Sequence, residues 1–365
     1  MLMIWKPNVH TENLKSYYKR RFWAGILLAQ AVLFYLLSLS DRAVSVFESF
    51  FAWQKQYHQL FFSGPDFSVG DILYIVLVIV FGIIILGVSQ KSERRRSQLL
   101  LLLLLNILYF TYNIWWGMLY FQKPISDRLP EVEVTDEKLK SFARHYLDLC
   151  RESREQVMED QNGVFKVYDL MKLQQQITEV QNDGLFYNNK ENRTSVSSFK
   201  PSLYSRIISY TGIQGYYNPF TAEAQYNPEL PSTYLPFTLA HEHAHQLGFA
   251  REQEANFIAF LTGKNSSDAD LKYSTQYFVL KSLLNALAES DPGFVKDILR
   301  NYSPAMQRDR TAELSFRKKH EGWLEEFFGI TNDLFLKSNR QEGAVTYSYF
   351  VNLLVRFETA NRTKS

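Results

Sequence analysis

The sequence predicts a mainly α-helical protein, in which three apolar transmembrane helices near the N-terminus precede an α-rich (α+β) domain with a small edge strand or hairpin. Two features of the 365 residues lead to this prediction. Nearly all long apolar runs lie in the first third of the chain. Beyond residue 135, apolar residues recur mainly at helical spacing, and one stretch rich in Gly, Pro and Tyr interrupts that spacing.

Three apolar runs are long enough to cross a membrane as helices. They cover residues 22–39, 72–88 and 99–121. A hydrocarbon core about 30 Å thick needs about 20 such residues. The first run is long for a cleaved signal peptide and no small-residue cleavage site ends it, which favours a retained signal anchor. We therefore predict a membrane region over residues 1–121 in contact with the lipid bilayer, a linker with two prolines over 122–135, and a separate domain over 136–365.

Positive charges predict the orientation of these helices. Loops rich in Lys and Arg stay on the cytoplasmic side of a membrane. Such residues precede the first run and separate the second from the third: Lys15, Lys19, Arg20 and Arg21, then Lys91, Arg94, Arg95 and Arg96. We therefore expect a cytoplasmic N-terminus and an extracytoplasmic domain 136–365. The aromatic segment 46–62 either lies along the membrane interface or covers that domain, and the sequence allows both.

The composition argues against a nucleic-acid partner and excludes a disulfide within the chain. The net charge is +2, whereas a nucleic-acid-binding protein needs a concentrated basic face, so we expect no nucleic-acid partner. Cys150 is the only cysteine, which excludes a disulfide within the chain.

One short helix carries the most specific chemical signal. Its residues His241-Glu242-His243-Ala244-His245 form an H-E-x-x-H pattern. Residues four apart lie on the same face of a helix, so His241 and His245 would direct two imidazoles at one point, as a zinc ion requires. Glu242, about 100° round the helix, would lie beside that ion as a general base. His243 faces the opposite side. The alternative is a helix that carries His on its surface.

A catalytic zinc ion needs a third protein ligand and an open position for water. A second helical run follows Gly248 and offers Glu252 and Glu254. Asn256 is four residues after Glu252 and shares its face. We therefore prefer Glu252 as the third ligand and Asn256 as a partner that orients a ligand, with Glu254 as the alternative.

The segment H-E-H-A-H-Q-L-G-F-A-R-E-Q-E-A-N-F, residues 241–257, resembles the signature of a bacterial domain-of-unknown-function family of membrane-anchored, gluzincin-like zinc metallopeptidases. Residues 211–224, the late Thr346-Tyr347-Ser348-Tyr349 and the preceding apolar runs also resemble that family. The resemblance implies a gluzincin-like domain with bound Zn2+ in a bacterial inner or plasma membrane. In other gluzincins the motif E-x-x-A-D supplies the zinc-binding Glu, and here Asn256 replaces the Asp.

Two further roles follow from this resemblance. In zinc peptidases, a strand before the metal-binding helix commonly forms the edge of the cleft, where an extended peptide adds as another strand. This suggests substrate binding by the segment Gly215, Tyr216, Tyr217 and Asn218, and the alternative is a structural loop with packed aromatic rings. Tyr347 would donate a hydrogen bond to the oxyanion of the reaction, or else is a packed structural residue.

We therefore expect a membrane-anchored zinc metallopeptidase that hydrolyses a peptide or protein substrate in the cell envelope. A zinc-activated water would attack the peptide carbonyl while Glu242 takes its proton. The alternative is a non-catalytic, zinc-stabilised membrane protein that acts by binding an envelope partner. Such a protein needs the two His but not the carboxylate of Glu242.

Overall fold

The chain divides into two compact units that are interleaved in sequence. The computed structural model describes residues 9–182, 198–322 and 346–362, and the side chains within 19–182, 198–322 and 349–361. One unit, the N-terminal unit, contains residues up to Phe47 together with Val69–Gln122. The other, the helical domain, contains Glu48–Ser68 and the residues from Lys123 onward.

The predicted apolar runs all form helices. The first four helices are α1 (Val9–Ser38), α2 (Asp41–Ser63), α3 (Val69–Ser89) and α4 (Arg94–Trp115). Of the described helices, α3, α4 and the part of α1 from Lys19 to Ser38 are long and apolar enough to cross a membrane. The third run was predicted to continue as a helix to residue 121, but it changes to a 3₁₀ helix at Gly117–Phe121. A Cβ atom at Gly117 would lie 2.8 Å from Asn113 Oδ1, so this tighter turn requires glycine.

Asn106 joins two helices within the N-terminal unit. Its Nδ2 donates to the Trp23 carbonyl oxygen over 3.1 Å, and Gln30 Nε2 donates to its Oδ1 over 3.2 Å. These bonds hold α4 against α1 and satisfy a polar group on an otherwise apolar helix.

The helical domain surrounds a small three-stranded sheet. Its remaining elements are 3₁₀ Ile125–Arg128, α5 (Asp136–Arg154), α6 (Leu170–Asn182), β1 (Phe199–Pro201), α7 (Ser205–Ser209), β2 (Gly215–Asn218), β3 (Glu223–Tyr226), α8 (Leu235–Gln246), α9 (Glu252–Asn265), α10 (Ala269–Ala286), α11 (Pro292–Arg300), α12 (Pro304–His320) and α13 (Thr346–Arg362).

The sheet has the order β1-β3-β2, which places β2 at an edge. β3 pairs parallel with β1 and antiparallel with β2, in the register Gly215 to Tyr226 and Tyr217 to Ala224. The predicted hairpin is therefore present, with β1 as an additional strand. β3 is buried along its whole length, so the sheet forms one wall of the domain interior.

Helices α8, α9, α10 and α13 pack together and provide most of the apolar core. On α9, Phe257, Ile258, Phe260 and Leu261 are each at most 5% exposed. Phe260 lies edge-on to Phe350 of α13, and Phe257 lies edge-on to Phe357. The apolar side predicted for residues 257–261 therefore forms the core contact, and it fixes α9 at the position from which Glu252 projects.

The aromatic helix α2 covers the helical domain with one face. Gln59 Nε2 donates to the Gln246 carbonyl oxygen over 3.1 Å, and His58 Nε2 donates to the Phe220 carbonyl oxygen over 2.9 Å. On the opposite face Trp53 and Phe61 are 67% and 79% exposed. The sequence allows residues 46–62 to lie along the membrane interface or to cover the domain. The structure shows that the face of α2 with His58 and Gln59 covers the domain.

Most of the stretch 122–135, predicted to be a linker, lies within the helical domain and packs against it. Ile125 is 4% exposed, and its amide donates to Glu254 Oε1 over 2.9 Å. The Arg356 guanidinium donates to the Ser126 carbonyl oxygen over 2.9 Å. Pro124 directly precedes the 3₁₀ helix Ile125–Arg128, and these buried contacts fix the position of that helix.

A buried ion pair links α5 to α12. Arg154 Nε lies 2.6 Å from Asp309 Oδ2, and the two side chains are 2% and 0% exposed. Asp309 also accepts hydrogen bonds from the Tyr273 hydroxyl at 2.7 Å and the Phe165 amide at 2.9 Å. Every polar contact of this carboxylate is thus made inside the protein.

We expect Asp309→Ala to destabilise the domain by about 3–5 kcal/mol, because it removes the buried partner of Arg154 and leaves that charge only the partly exposed Glu159. The measurement is thermal unfolding in detergent. Asp148→Ala is the matched control, since Asp148 is 67% exposed in its pair with Arg151 and such pairs contribute about 0–1 kcal/mol. Equal unfolding midpoints for the two variants would contradict the assignment.

Candidate metal centre

Helix α8 is buried along nearly all of its length. Its first two turns place Leu235, Phe237, Leu239 and Ala240 in the core, and Pro236 takes a first-turn position where its missing amide hydrogen is tolerated. The helix ends before Gly248, whose φ of 105° lies in the left-handed region that favours glycine. A Cβ atom there would also lie 2.9 Å from the Phe51 ring. This turn directs the chain back into α9.

The turn brings three potential metal ligands together. Ligand atoms of His241, His245 and Glu252 all lie within 4.8 Å of one another. His241 Nε2 is 3.1 Å from Glu252 Oε2, and His245 Nε2 is 3.6 Å from Glu252 Oε1. The two imidazole rings are perpendicular, with centroids 4.7 Å apart. The Glu252 side chain is 33% exposed, so the cluster is open to solvent on that side.

Hydrogen bonds to the other ring nitrogens set the orientation of both imidazoles. His245 Nδ1 lies 2.6 Å from the Phe249 carbonyl oxygen, and His241 Nδ1 lies 2.8 Å from Asn256 Oδ1. Both oxygens can only accept, so each Nδ1 carries a hydrogen and each Nε2 faces Glu252. Two Nε2 atoms and a carboxylate therefore converge on one region, where His241 Nε2 is within hydrogen-bond distance of Glu252 Oε2. Two imidazoles and a carboxylate in this arrangement fit a divalent metal ion, which would take the place of the protons on Nε2.

The pKa values of His245 and Glu252 are shifted by the charges within the cluster. Burial alone would lower the pKa of His245, but the Glu252 carboxylate outweighs it and raises that pKa to about 9. Burial would raise the pKa of Glu252, but the two imidazoles hold it well below its usual range. Both directions reflect one attraction, between the imidazoles and the Glu252 carboxylate.

Glu242 is a buried carboxylate beside the cluster. It is 4% exposed, and its Oε2 has no hydrogen-bond partner among the described residues. Burial raises the pKa of Glu242 to about 7, opposed by the charges of His241 and His245. A carboxylate kept this far from water and with a free oxygen is suited to exchanging a proton with a neighbouring group.

Strand β2 lies against Glu242. A Cβ atom on Gly215 would be 2.8 Å from Glu242 Oε1 and 2.8 Å from the Gln225 carbonyl oxygen, so only glycine fits. Tyr217, on the same face of the strand, has its ring centroid 6.5 Å from that of His245. Two of the four residues predicted to bind substrate therefore lie beside the cluster.

The other two residues of β2 make structural contacts. The Tyr216 hydroxyl lies 3.2 Å from Ser202 Oγ, and its ring stacks on Tyr204. Asn218 is fully buried, and its Oδ1 accepts a hydrogen bond from the Phe220 amide over 2.9 Å. These contacts favour a structural role for Tyr216 and Asn218.

Glu254 and His243 lie apart from the cluster. Glu254, the alternative ligand, is buried and accepts from Arg251 Nη1 at 2.9 Å and from the Ile125 amide. His243 is buried, stacks on Phe199, and has its Nδ1 2.6 Å from Gln181 Oε1. The side chain of Tyr347 lies outside the described residues.

Two features of the site were not predicted from the sequence. Gly215 was identified as part of a strand, but not as the place where Glu242 approaches the backbone. The Phe249 carbonyl oxygen carries no side-chain signal. Gly248 was the available signal for it, because the left-handed turn at that residue points the next carbonyl group towards His245.

We expect Glu252→Ala to weaken metal binding by more than the roughly 10–100-fold that loss of an outer hydrogen-bond partner causes, because it removes a direct ligand. Metal content and affinity of the purified protein are the measurements. Glu254→Ala is the control. It should lower the unfolding temperature through the loss of its contacts with Arg251 and Ile125, but leave metal binding intact. The reverse pattern would make Glu254 the ligand.

Comparison with known proteins places the chain in a family without identifying a homologue of known activity. No curated protein and no solved structure matches it. A family model with the description "Protein of unknown function (DUF3810)" matches residues 47–355, which include most of α2, the sheet and the whole candidate metal centre. That description names no activity, so the match establishes relationship alone. The chain belongs to the DUF3810 family.

Proposed function

We propose that this protein is a membrane-anchored, zinc-dependent metallopeptidase with a gluzincin-like domain. The observation that carries the proposal is the convergence of His241, His245 and Glu252 next to Glu242, a buried carboxylate with an unpartnered oxygen. Two imidazoles, one carboxylate and an open side are the usual ligand set of a catalytic zinc site.

His241, His245 and Glu252 would hold the ion. When bound in such a site, zinc lowers the pKa of a coordinated water and polarises a substrate carbonyl. Asn256 and the Phe249 carbonyl oxygen hold the two rings with Nε2 inward, and they would keep that geometry during turnover.

Glu242 would move the proton. Its free Oε2 would take a proton from the attacking water and pass it to the leaving amine, so that one bond to oxygen forms as the C–N bond breaks. The tightly packed contact with Gly215 limits the positions open to the side chain. Tyr347 remains our proposed donor to the oxyanion.

Edge strand β2 would position the substrate. An extended peptide can pair with the edge of a sheet through its main chain, and Gly215 and Tyr217 lie where that peptide would pass the cluster. The distribution of Lys and Arg around the apolar helices supports an extracytoplasmic domain, and hence a peptide or protein substrate in the cell envelope.

Glu242 also distinguishes this proposal from its rival, a zinc-stabilised protein that only binds a partner. Such a protein would use His241, His245 and Glu252. It would gain nothing from burying a further carboxylate whose Oε2 has no hydrogen-bond partner among the described residues, because that burial is unfavourable.

We expect Glu242→Gln to keep its zinc and to lose about 10²–10⁴-fold in hydrolysis, the usual contribution of a general acid–base group. Zinc content and cleavage of a labelled peptide mixture in detergent are the measurements. Glu137→Gln is the control, since Glu137 is 84% exposed. Retained hydrolysis in Glu242→Gln would refute the assigned base.

We expect Gly215→Ala to retain zinc but to reduce hydrolysis, because the added Cβ atom displaces the Glu242 carboxyl group or strand β2. Gly293→Ala is the matched control, since the nearest atom to its Cβ would be Asp291 Oδ1 at an ordinary 3.5 Å. If both variants kept wild-type activity, the close approach of Gly215 to Glu242 would have no functional meaning.

A further inference from the structure

A cavity of about 370 Å³ lies at the N-terminal end of α8. The segment before β2, helix α10 and helix α12 contribute its walls. Part of the lining is apolar and comes from Ile213, Leu230, Phe278 and Phe316. The volume is in the range of small-ligand sites, which typically combine an apolar wall with a few polar groups.

The polar part of the lining contains basic side chains but no carboxylate. Lys281, Arg317 and His320 line the cavity. The Lys281 ammonium is already matched, since it lies 3.0 Å from Glu313 Oε1 and 3.9 Å above the centroid of the Tyr234 ring. Arg317 is exposed, and within the described part of the chain it has neither an ion pair nor a side-chain hydrogen bond. The lining of the cavity therefore includes one solvent-exposed positive charge that is not paired with a carboxylate.

His320 adds a second polar group to the same wall. His320 is 6% exposed and packs edge-on against the Tyr210 ring. Its Nδ1 donates to the Phe316 carbonyl oxygen over 2.9 Å, which fixes the ring and directs Nε2 away from the α12 backbone. Lys318 and Lys319, in contrast, are exposed and are not part of the lining.

The cavity adjoins the candidate metal centre. Gln214, one of its lining residues, directly precedes Gly215, and its Oε1 accepts a hydrogen bond from Thr238 Oγ1 over 3.0 Å. Thr238 is one turn before Glu242 on the same face of α8, about 6 Å along the axis. Tyr234, another lining residue, is about 12 Å from Glu242 along the helix axis. About four residues of extended peptide cover that distance.

We propose that this cavity binds the free carboxyl end of a peptide substrate, with Arg317 as the contact for the carboxylate. The apolar wall would hold the last side chain. This rests on the proposed function and makes its substrate class more specific: peptides cleaved within about four residues of their C-terminus. Arginine suits the role, because its planar guanidinium binds a carboxylate through two parallel hydrogen bonds.

Competitive capture tests the proposal without requiring hydrolysis. The probe is a pool of hexapeptides with randomised sequences, half with a free carboxyl terminus and half with a carboxamide. Zinc-loaded, full-length Glu242→Gln protein in detergent captures peptides from the pool, and mass spectrometry gives the ratio of acids to amides. We expect free acids to be enriched about tenfold, as one charged hydrogen bond supplies. Adding Arg317→Ala should return the ratio to about one, and adding Lys318→Ala should not change it.

Four results would overturn the proposal. These are equal capture of acids and amides, capture of neither, an equal loss of enrichment in the Lys318→Ala control, and enrichment that follows internal Asp or Glu rather than the terminus. The test also separates this inference from the proposed function. Enrichment of free acids together with a wild-type protein that cleaves nothing would support the binding site and reject the peptidase.

Discussion

The convergence of two imidazoles and one carboxylate governs the architecture around α8. The Phe249 carbonyl oxygen and Asn256 fix both imidazoles with Nε2 towards Glu252, whose carboxylate faces them. Three such side chains lie within 4.8 Å of one another only where the surrounding fold holds both helices in place. Here the fold supplies the restraint, because α8 is buried at its start and α9 is fixed through its aromatic core face.

Glu252 and Glu254 make different contacts because they lie on different faces of α9. Glu252 and Glu254 are two residues apart, about 200° round α9, so they face nearly opposite directions. Glu252 faces the imidazoles, whereas Glu254 faces Ile125 and Arg251. One carboxylate thus contributes to the candidate metal centre, and the other joins the segment after the apolar helices to the domain.

Local periodicity was sufficient to predict the parts of this protein that depend on one helix at a time. The apolar helices, the pairing of His241 with His245 and the shared face of Glu252 and Asn256 all follow from spacing along a helix. Contacts between distant segments could not be predicted in that way. The packing of α2, the burial of Ile125 and the approach of Gly215 to Glu242 join residues far apart in sequence. The position of Arg317 could not be predicted from helical spacing either, because the other residues of its cavity come from α10 and the segment before β2.

The contribution of α2 has a consequence for how the two units are connected. The chain passes between them three times, at residues 47–48, 68–69 and 122–123. A cut near residue 122 would break only one of these connections, and Gln59 and His58 of α2 would still bind the residues after the cut through Gln246 and Phe220. Separation of the helical domain from the N-terminal unit would therefore require α2 to detach as well.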